Sequence, residues 1–276
     1  MTQRTILITG CSSGIGLAAA MKLRKEGWRV FASCKQQADC DRLRTMGFDA
    51  PRIDYTDTES IHQGLSQVLE ATGGTLDALF NNGAHAIPGA VEDLPTDALR
   101  SIFEANFFGW HELTLSLLPV MRKQGYGRII QCSSVLGLVT LPWRGAYNAS
   151  KFALEGLTDT LRIEMRDTNI KIVLIEPGPI TTKIRENAIP HLERWINWKD
   201  AARASEYETK LLGRLYTPRG PDPFELPPEA VVDKLIHALE SKRPSARYFV
   251  TTPTYLMAGL RRLLPTWALD WLLSRT

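Results

Sequence analysis

The chain has 276 residues, 44% hydrophobic and 23% charged, the profile of a soluble globular protein long enough to bury one large core. A net charge of +3, with no basic cluster interleaved with aromatics, argues against nucleic acid as a partner. No run reaches the roughly 20 apolar residues that span a bilayer.

The first residues, Met1-Thr2-Gln3-Arg4, run straight into strand-like Thr5-Ile6-Leu7-Ile8-Thr9, which leaves no room for a signal peptide. Strands are predicted over 5–9, 28–33, 50–54, 77–81, 127–133, 170–175 and 246–250. Helices are predicted over 14–26, 37–46, 58–72, 97–124, 145–168 and 228–241. Gly27 is placed to end the first helix and Thr96 to cap the fourth. Pro119 is expected to kink that fourth helix near its end, and Pro227-Pro228-Glu229 to start the last. This alternation predicts a single α/β domain, a doubly wound Rossmann parallel sheet of about seven strands with helices on both faces. Cys11, Cys34, Cys40 and Cys132 lack metal-ligand spacing and are read as reduced thiols of a cytoplasmic protein; no metal is expected.

Two segments break the rhythm. Residues 183–226 carry Trp195, Trp198, Tyr207, Tyr216 and four prolines, and a connection this long is expected to be a substrate lid rather than an irregular insertion. The tail, residues 253–276, is apolar with Arg261, Arg262, Asp270 and Arg275 inserted. A helical tail docked on its own protein or on a sister subunit is favoured over membrane contact. Arg261-Arg262 beside Trp267 and Trp271 keeps the lipid-surface reading in play.

The first strand ends in Thr9-Gly10-Cys11-Ser12-Ser13-Gly14-Ile15-Gly16. Glycines let the backbone turn tightly against a pyrophosphate, and a helix starting at Gly14 offers free amides and a positive dipole. The spacing is Gly-x-x-x-Gly-x-Gly, and a strand before it with a helix after it favours nucleotide binding over a simple turn. An NAD-selective site places an acid at the end of the second strand, yet Phe31-Ala32-Ser33-Cys34-Lys35 holds none. Lys35 and Ser13 suit a 2′-phosphate instead, so NADP(H) is the expected cofactor, although Lys35 could equally be a solvated strand-end lysine. Asp54 falls where an adenine-edge contact would lie, or is a plain loop aspartate.

Tyr147 and Lys151 lie four residues apart, about one helical turn, with Ser134 thirteen residues before the tyrosine. A free tyrosine has a pKa of about 10 and is a poor proton carrier at neutral pH. An ammonium on the same helix face lowers that pKa, which a group trading a proton with an alcohol oxygen needs. Alone, such a pair is weak; beside the glycine turn it marks a catalytic site. The run after Ser134, with Leu136, Leu138, Val139, Leu141 and Trp143, makes the substrate side apolar.

These residues resemble the short-chain dehydrogenase/reductase family over essentially the whole chain. The matches are the glycine turn, Asn81-Asn82, Asn106 in Ala105-Asn106-Phe107-Phe108-Gly109, Ser133-Ser134-Val135-Leu136-Gly137, Tyr147 with Lys151, and Pro177-Gly178-Pro179-Ile180-Thr181-Thr182. Glu176 before that last run and the Lys35 position resemble the NADP-preferring branch of hydroxysteroid and retinol dehydrogenases and bacterial aldehyde reductases. The resemblance implies that Tyr147 is the general acid or base, that Lys151 lowers its pKa and bonds the nicotinamide ribose, and that Ser134 polarises the carbonyl. It implies that Asn106 holds a relay water beyond Lys151, against the alternative of a helix asparagine bonded to backbone. Gly10, Ser12, Ser13, Gly14, Ile15, Gly16, Asn82, Pro177 and Gly178 would line the dinucleotide site, and Ile180 and Thr182 would fix the carboxamide. It further implies a homo-oligomer, dimer or tetramer, paired through the 97–124 and 145–168 helices.

The family usually reads Asn-Asn-Ala-Gly where this chain reads Asn81-Asn82-Gly83-Ala84. We expect a small shift near the adenosine ribose with binding kept, and about 1 kcal/mol or more of strain if Ala84 takes positive φ. The activity expected is reduction of a small lipophilic aldehyde or ketone, or oxidation of the matching alcohol. The alternative is a non-catalytic NADP(H)-binding sensor or scaffold, whose usual signature, a degraded catalytic set, is missing here.

Overall fold

The computed structural model describes residues 3–217 and 220–275. Six strands form one sheet: β1 (Thr5–Ile8), β2 (Arg29–Ala32), β3 (Ala78–Asn81), β4 (Gly127–Cys132), β5 (Ile170–Pro177) and β6 (Arg247–Val250). They lie in the order β2-β1-β3-β4-β5-β6, and every neighbouring pair is parallel. Between and after them run α1 (Gly14–Lys25), α2 (Gln37–Thr45), α3 (Thr58–Thr72), α4 (Thr96–Phe103), α5 (Gly109–Gln124), α6 (Gly145–Glu164) and α7 (Ile184–Trp195). Then come α8 (Ala204–Glu206), α9 (Gly213–Tyr216), α10 (Glu229–Glu240), α11 (Thr252–Leu263) and α12 (Thr266–Leu273).

Strand β1 shows why helices must cover both faces. Successive side chains point to opposite sides, so Ile6 and Ile8 enter one apolar cluster while Leu7 enters the other. The first cluster is closed by Ala19 and Leu23 of α1 with Val231 and Leu235 of α10. The second is closed by Ile61 and Leu65 of α3 with Leu113 and Leu117 of α5. A parallel sheet buried on both faces is the stable solution for such continuous apolar strands. The order in which strands are added reverses between β1 and β3, and the crevice at their carboxyl ends is where such folds bind ligands.

The fold departs from the sequence reading at four places. Segment 50–54 is no strand; the chain here meets the sheet edge through isolated bridges, Phe31–Asp49 just before the segment and Cys34–Arg52 within it. Pro51 interrupts the ladder because it has no amide hydrogen to donate. Thr96 is the first helical residue, with Pro95 in the cap position, its fixed φ preorganising the turn. The 97–124 helix is interrupted by a π turn at Glu104–Phe108, and Pro119 lies within the last turns of α5. Neither Gly83 nor Ala84 takes positive φ; among the described residues, the non-glycine residues that do are Trp143, Phe224 and Thr251. The helix signals at Gly27, with φ of 87°, and at Pro228, which caps α10, are as read.

Segment 183–226 is largely helical: α7, then α8 and α9 flanking a π segment at Tyr207–Leu212. Leu192, Ile196, Tyr207 and Leu211 build a small core of their own, joined by Trp143. Pro218 and Arg219 of the expected lid, and Thr276 of the expected tail, lie outside the described residues. All four cysteines are buried and unpaired by disulfides. Among the described residues, no helix is long and apolar enough to cross a membrane.

Candidate active site

The glycine turn follows directly from β1. Gly10 has φ of 68° and Gly14 φ of 55°, a region that side chains with Cβ rarely enter. A Cβ on Gly10 would sit 2.5 Å from Gly83 Cα, and one on Gly16 would sit 2.4 Å from the Gly10 carbonyl oxygen. So Gly16 lets α1 close onto the turn, and Gly83 lets the loop after β3 close onto it from the other side. This gives the Asn-Asn-Gly-Ala order a physical role. Asn82 clamps the same turn, its amide donating to the Thr9 carbonyl at 3.0 Å and its backbone N–H to Thr9 Oγ1 at 2.9 Å. The first turn of α1 carries no acid and Ser13 caps no amide through its side chain, so the helix N-terminus is free for an anion.

A cavity of about 730 Å³ opens over these carboxyl ends. Gly10, Ser12, Ser13, Gly14, Ile15 and Asn82 line one end; Ser134, Tyr147 and Lys151 line its centre; Pro177, Gly178, Ile180 and Thr182 close another wall. A Cβ on Gly14 would come 3.1 Å from Thr182 Cγ2, so the glycine turn and the 177–182 segment meet across a glycine. Leu226 returns from the 183–226 segment to pair with this wall, donating to the Pro179 carbonyl at 3.1 Å. These residues leave a glycine-lined cradle, an unneutralised helix N-terminus and a roomy cleft, which fits a dinucleotide.

Lys35 and Asp54 stand at the sheet edge beyond the cavity wall and pair with each other at 3.6 Å. Asp54 is buried, and its carboxylate also accepts from the backbone and hydroxyl of Thr56 and pairs with Arg52 at 3.8 Å. Arg42, which sequence reasoning missed, donates to the Ser12 carbonyl at 2.7 Å and sets a second cation beside the turn. Only its place in a helix seven residues beyond Lys35 could have pointed to it.

Helix α6 carries the candidate catalytic pair. Tyr147 and Lys151 are both buried, one turn apart. The Lys151 ammonium donates to the Cys132 carbonyl at 2.9 Å and lies 4.3 Å from the Trp110 ring centroid. It is 5.6 Å from the Tyr147 ring centroid. Burial pushes the Lys151 pKa down to about 8. Burial, then the Cys132 thiol, pushes the Tyr147 phenol above its ordinary value, while a hydrogen bond from Ser134 and the Arg144 guanidinium pull the other way. Ser134 itself is held by the Leu136 N–H at 3.1 Å. Arg144, three residues before Tyr147, is a cavity-wall cation that the sequence reading did not name.

Asn106 is fully buried in the π turn, behind the cavity wall. Its amide donates to the His85 carbonyl at 2.9 Å and to Ser150 Oγ at 3.3 Å, while its oxygen accepts from the His85 N–H at 3.1 Å. The side chain thus ties the π turn to the His85 backbone and to Ser150 of α6. A π turn also frees a main-chain carbonyl of its usual partner, and such turns recur at functional sites. His85 in turn stacks on His191 of α7, with ring centroids 4.1 Å apart. Tyr207 ties the same segment to the 89–93 loop, donating to Asp93 Oδ2 and accepting from the Ala90 N–H, both at 2.8 Å.

Behind the site lies a buried ionic cluster with no signature in the sequence. Arg247 of β6 donates to Glu155, one turn beyond Lys151, to Glu176, just before Pro177, and to Asp159 at 2.5 Å. Arg162 also pairs with Asp159, so two guanidinium groups face three carboxylates, two of them buried. Burial, then the charge of Glu155, pushes the Glu176 pKa up to about 8. A raised carboxyl pKa means the folded chain holds a proton that the unfolded chain releases near pH 4. This group therefore stabilises fully below that pH, and its contribution is lost as pH rises toward 8. Glu176→Gln should flatten the fall in Tm between pH 5 and pH 8 relative to the parent, measured by circular dichroism. Equal falls would contradict this account of the cluster.

The family described as "short chain dehydrogenase" matches residues 4–193. The chain is 41% identical over 272 residues to "Uncharacterized oxidoreductase YbbO" of Escherichia coli K12, covering 99% of this chain and 94% of that protein. It is 31% identical to the "NADPH-dependent 3-dehydrocapnine reductase" of Ornithobacterium rhinotracheale, covering 97% and 95%. A solved short-chain dehydrogenase from Streptomyces avermitilis superposes with a TM-score of 0.75 at 26% identity, over 97% of each chain. With the glycine turn, the parallel sheet and the Tyr147–Lys151 helix already in place, these matches show that the chain is an oxidoreductase of the short-chain dehydrogenase family.

Proposed function

We propose that the protein is an NADP(H)-dependent oxidoreductase that interconverts an alcohol and an aldehyde or ketone, reducing a lipophilic carbonyl compound with Tyr147 as general acid. The observation that carries this reading is the convergence of Ser134, Tyr147 and Lys151 on one cavity with the glycine turn. The bound cofactor would supply the hydride and, once oxidised, a positive charge that favours the phenolate. Tyr147 gives its proton to the carbonyl oxygen, and in the reverse direction takes it from the alcohol. The Ser134 hydroxyl donates to the same oxygen and withdraws charge from the carbon. Lys151, already dehydrated and held at the Cys132 carbonyl, is poised to bond ribose hydroxyls and refill the phenol. Asn106 keeps the His85 loop fixed against the end of that relay. Gly10, Ser12, Ser13, Gly14, Ile15 and Asn82 would hold the pyrophosphate end, and Pro177, Gly178, Ile180 and Thr182 the carboxamide end.

The lining beyond Ser134 supports a greasy substrate: Val135, Leu136, Leu141, Trp143, Ile184 and Phe224 face the cavity. Preference for NADP(H) rests on the missing acid after β2, on Lys35 at the strand's end and on Arg42 bonded to Ser12. The "NADPH-dependent" relative is consistent with it. Lys35→Ala should raise the KM for NADPH by roughly 10-fold or more, the loss of one charge-assisted contact, and leave the KM for NADH unchanged. Steady-state kinetics with both cofactors test it; equal effects on the two would remove Lys35 from phosphate recognition. The 183–226 segment acts as the substrate lid in this reading, tied down by Tyr207 and by the His85–His191 stack.

A further inference from the structure

The two C-terminal helices present a surface that the proposed chemistry does not use. Trp267 and Trp271 lie four residues apart on α12, so they share one face, and they are 75% and 56% exposed. Leu263, at the end of α11, is 80% exposed, and Tyr255 and Leu256 are 54% exposed each. Apolar side chains of this size gain by leaving water, so this many left largely exposed is a standing cost. The charges among them are one-sided: Arg261, Arg262 and Arg275 against Asp270 alone. Arg275 packs over the Trp271 ring at 3.9 Å, and Arg261 over Phe152 at 4.9 Å. Tryptophan with arginine on short amphipathic helices is the composition of the bilayer interface, where rings sit among headgroups and guanidinium groups meet phosphate.

The helices are fixed to the catalytic body. Thr254 is buried and donates to the Val250 carbonyl at 2.8 Å, and Leu273 is buried beneath α12. Pro253, at the start of α11, lines the main cavity. Between α12 and the 140–145 loop lies a groove of about 490 Å³, bounded by Leu273, Phe152 and Pro142 and sharing Leu141 and Trp143 with the main cavity. The exposed apolar face and the substrate side of the active site are thus contiguous.

We propose that α11 and α12 dock the protein on the surface of an anionic lipid bilayer, with the groove beside α12 facing the acyl-chain boundary. The one-sided cationic charge favours this occupant over a second copy of the chain, which would bring the same arginines into apposition. An apolar carbonyl substrate would then pass from lipid to cavity without crossing water. That route rests on the carbonyl-reductase reading; the docking itself does not.

The test is cosedimentation of the full chain with vesicles of phosphatidylcholine alone or in equimolar mixture with phosphatidylglycerol. Binding is expected to the anionic vesicles and to weaken as salt screens the charge. Replacing Arg261 and Arg262 together by Glu should lower that binding at least about tenfold, since each basic residue near such a surface is worth about 1 kcal/mol. Tryptophan fluorescence of the unaltered protein should be quenched by brominated acyl chains, and Trp267→Ser should reduce both quenching and binding. Turnover of a short water-soluble aldehyde should not change in these variants. If the parent reduces no aldehyde or ketone of any chain length, the proposed activity fails, while the sedimentation result still decides the docking. Absence of binding to anionic vesicles, or binding untouched by either variant, overturns the proposal. So does a Trp267→Ser variant that instead converts a dimer to a monomer on size exclusion, which would assign the face to a second copy.

Discussion

Tyr147→Phe is expected to lower turnover by about 10²–10⁴-fold while leaving NADPH affinity within a factor of about two, the span that a positioned general acid contributes. The substitution removes one oxygen from a buried ring and leaves its packing against Ala146, Ile102 and Leu136 in place. Lys151 keeps its bond to the Cys132 carbonyl, because that contact does not pass through the phenol. The ribose side of the site should therefore survive. Stopped-flow turnover and fluorescence titration of NADPH, run on the same preparation, separate chemistry from binding. Unchanged turnover would remove Tyr147 from the reaction. Intact binding in a parent protein that reduces nothing would favour a sensor or scaffold role.

Gly10→Ala is expected to be the most damaging single methyl group in the cofactor cradle. Its Cβ would fall 2.5 Å from Gly83 Cα and 2.9 Å from Gly83 N, both backbone atoms with no rotamer to give way. Its φ of 68° adds strain of its own. Left-handed strain and overpacking together give a loss of roughly 2–5 kcal/mol. Because the loop after β3 must move to admit the methyl group, Asn82 would be drawn off the Thr9 carbonyl and NADPH binding should fall with stability. Thermal unfolding and cofactor titration check both parts. A variant as stable and as tight as the parent would mean that the turn is not under this constraint.

Much of the fold was legible because its signals are local. The strand-turn-helix around Gly10 and Gly14, the apolar runs of β1, β4 and β5, and the Tyr147–Lys151 spacing each need only a dozen contiguous residues. What was missed depends on long-range contact. Segment 50–54 has a strand-like composition, but Pro51 breaks its donor pattern and leaves two isolated bridges. The π turn that carries Asn106 looks like plain helix in sequence, because the 97–124 periodicity runs through it. The Arg247 cluster joins α6, β5 and β6 over sequence separations of 71 to 92 residues, and none of its members stands out alone. Gly83 and Ala84 were weighed as a φ problem, whereas the constraint is steric: Gly83 is the surface on which Gly10 rests. The 183–226 segment read as a loop because its prolines and aromatics hide helices whose core is made with Trp143.

The most direct test of the account is NADPH consumption by the purified protein over aldehydes and ketones graded in chain length and ring content, repeated with NADH. The account predicts turnover that rises with apolar size and favours NADPH, both lost in Tyr147→Phe. Faster turnover of small polar carbonyl compounds, or equal use of NADH, would contradict it.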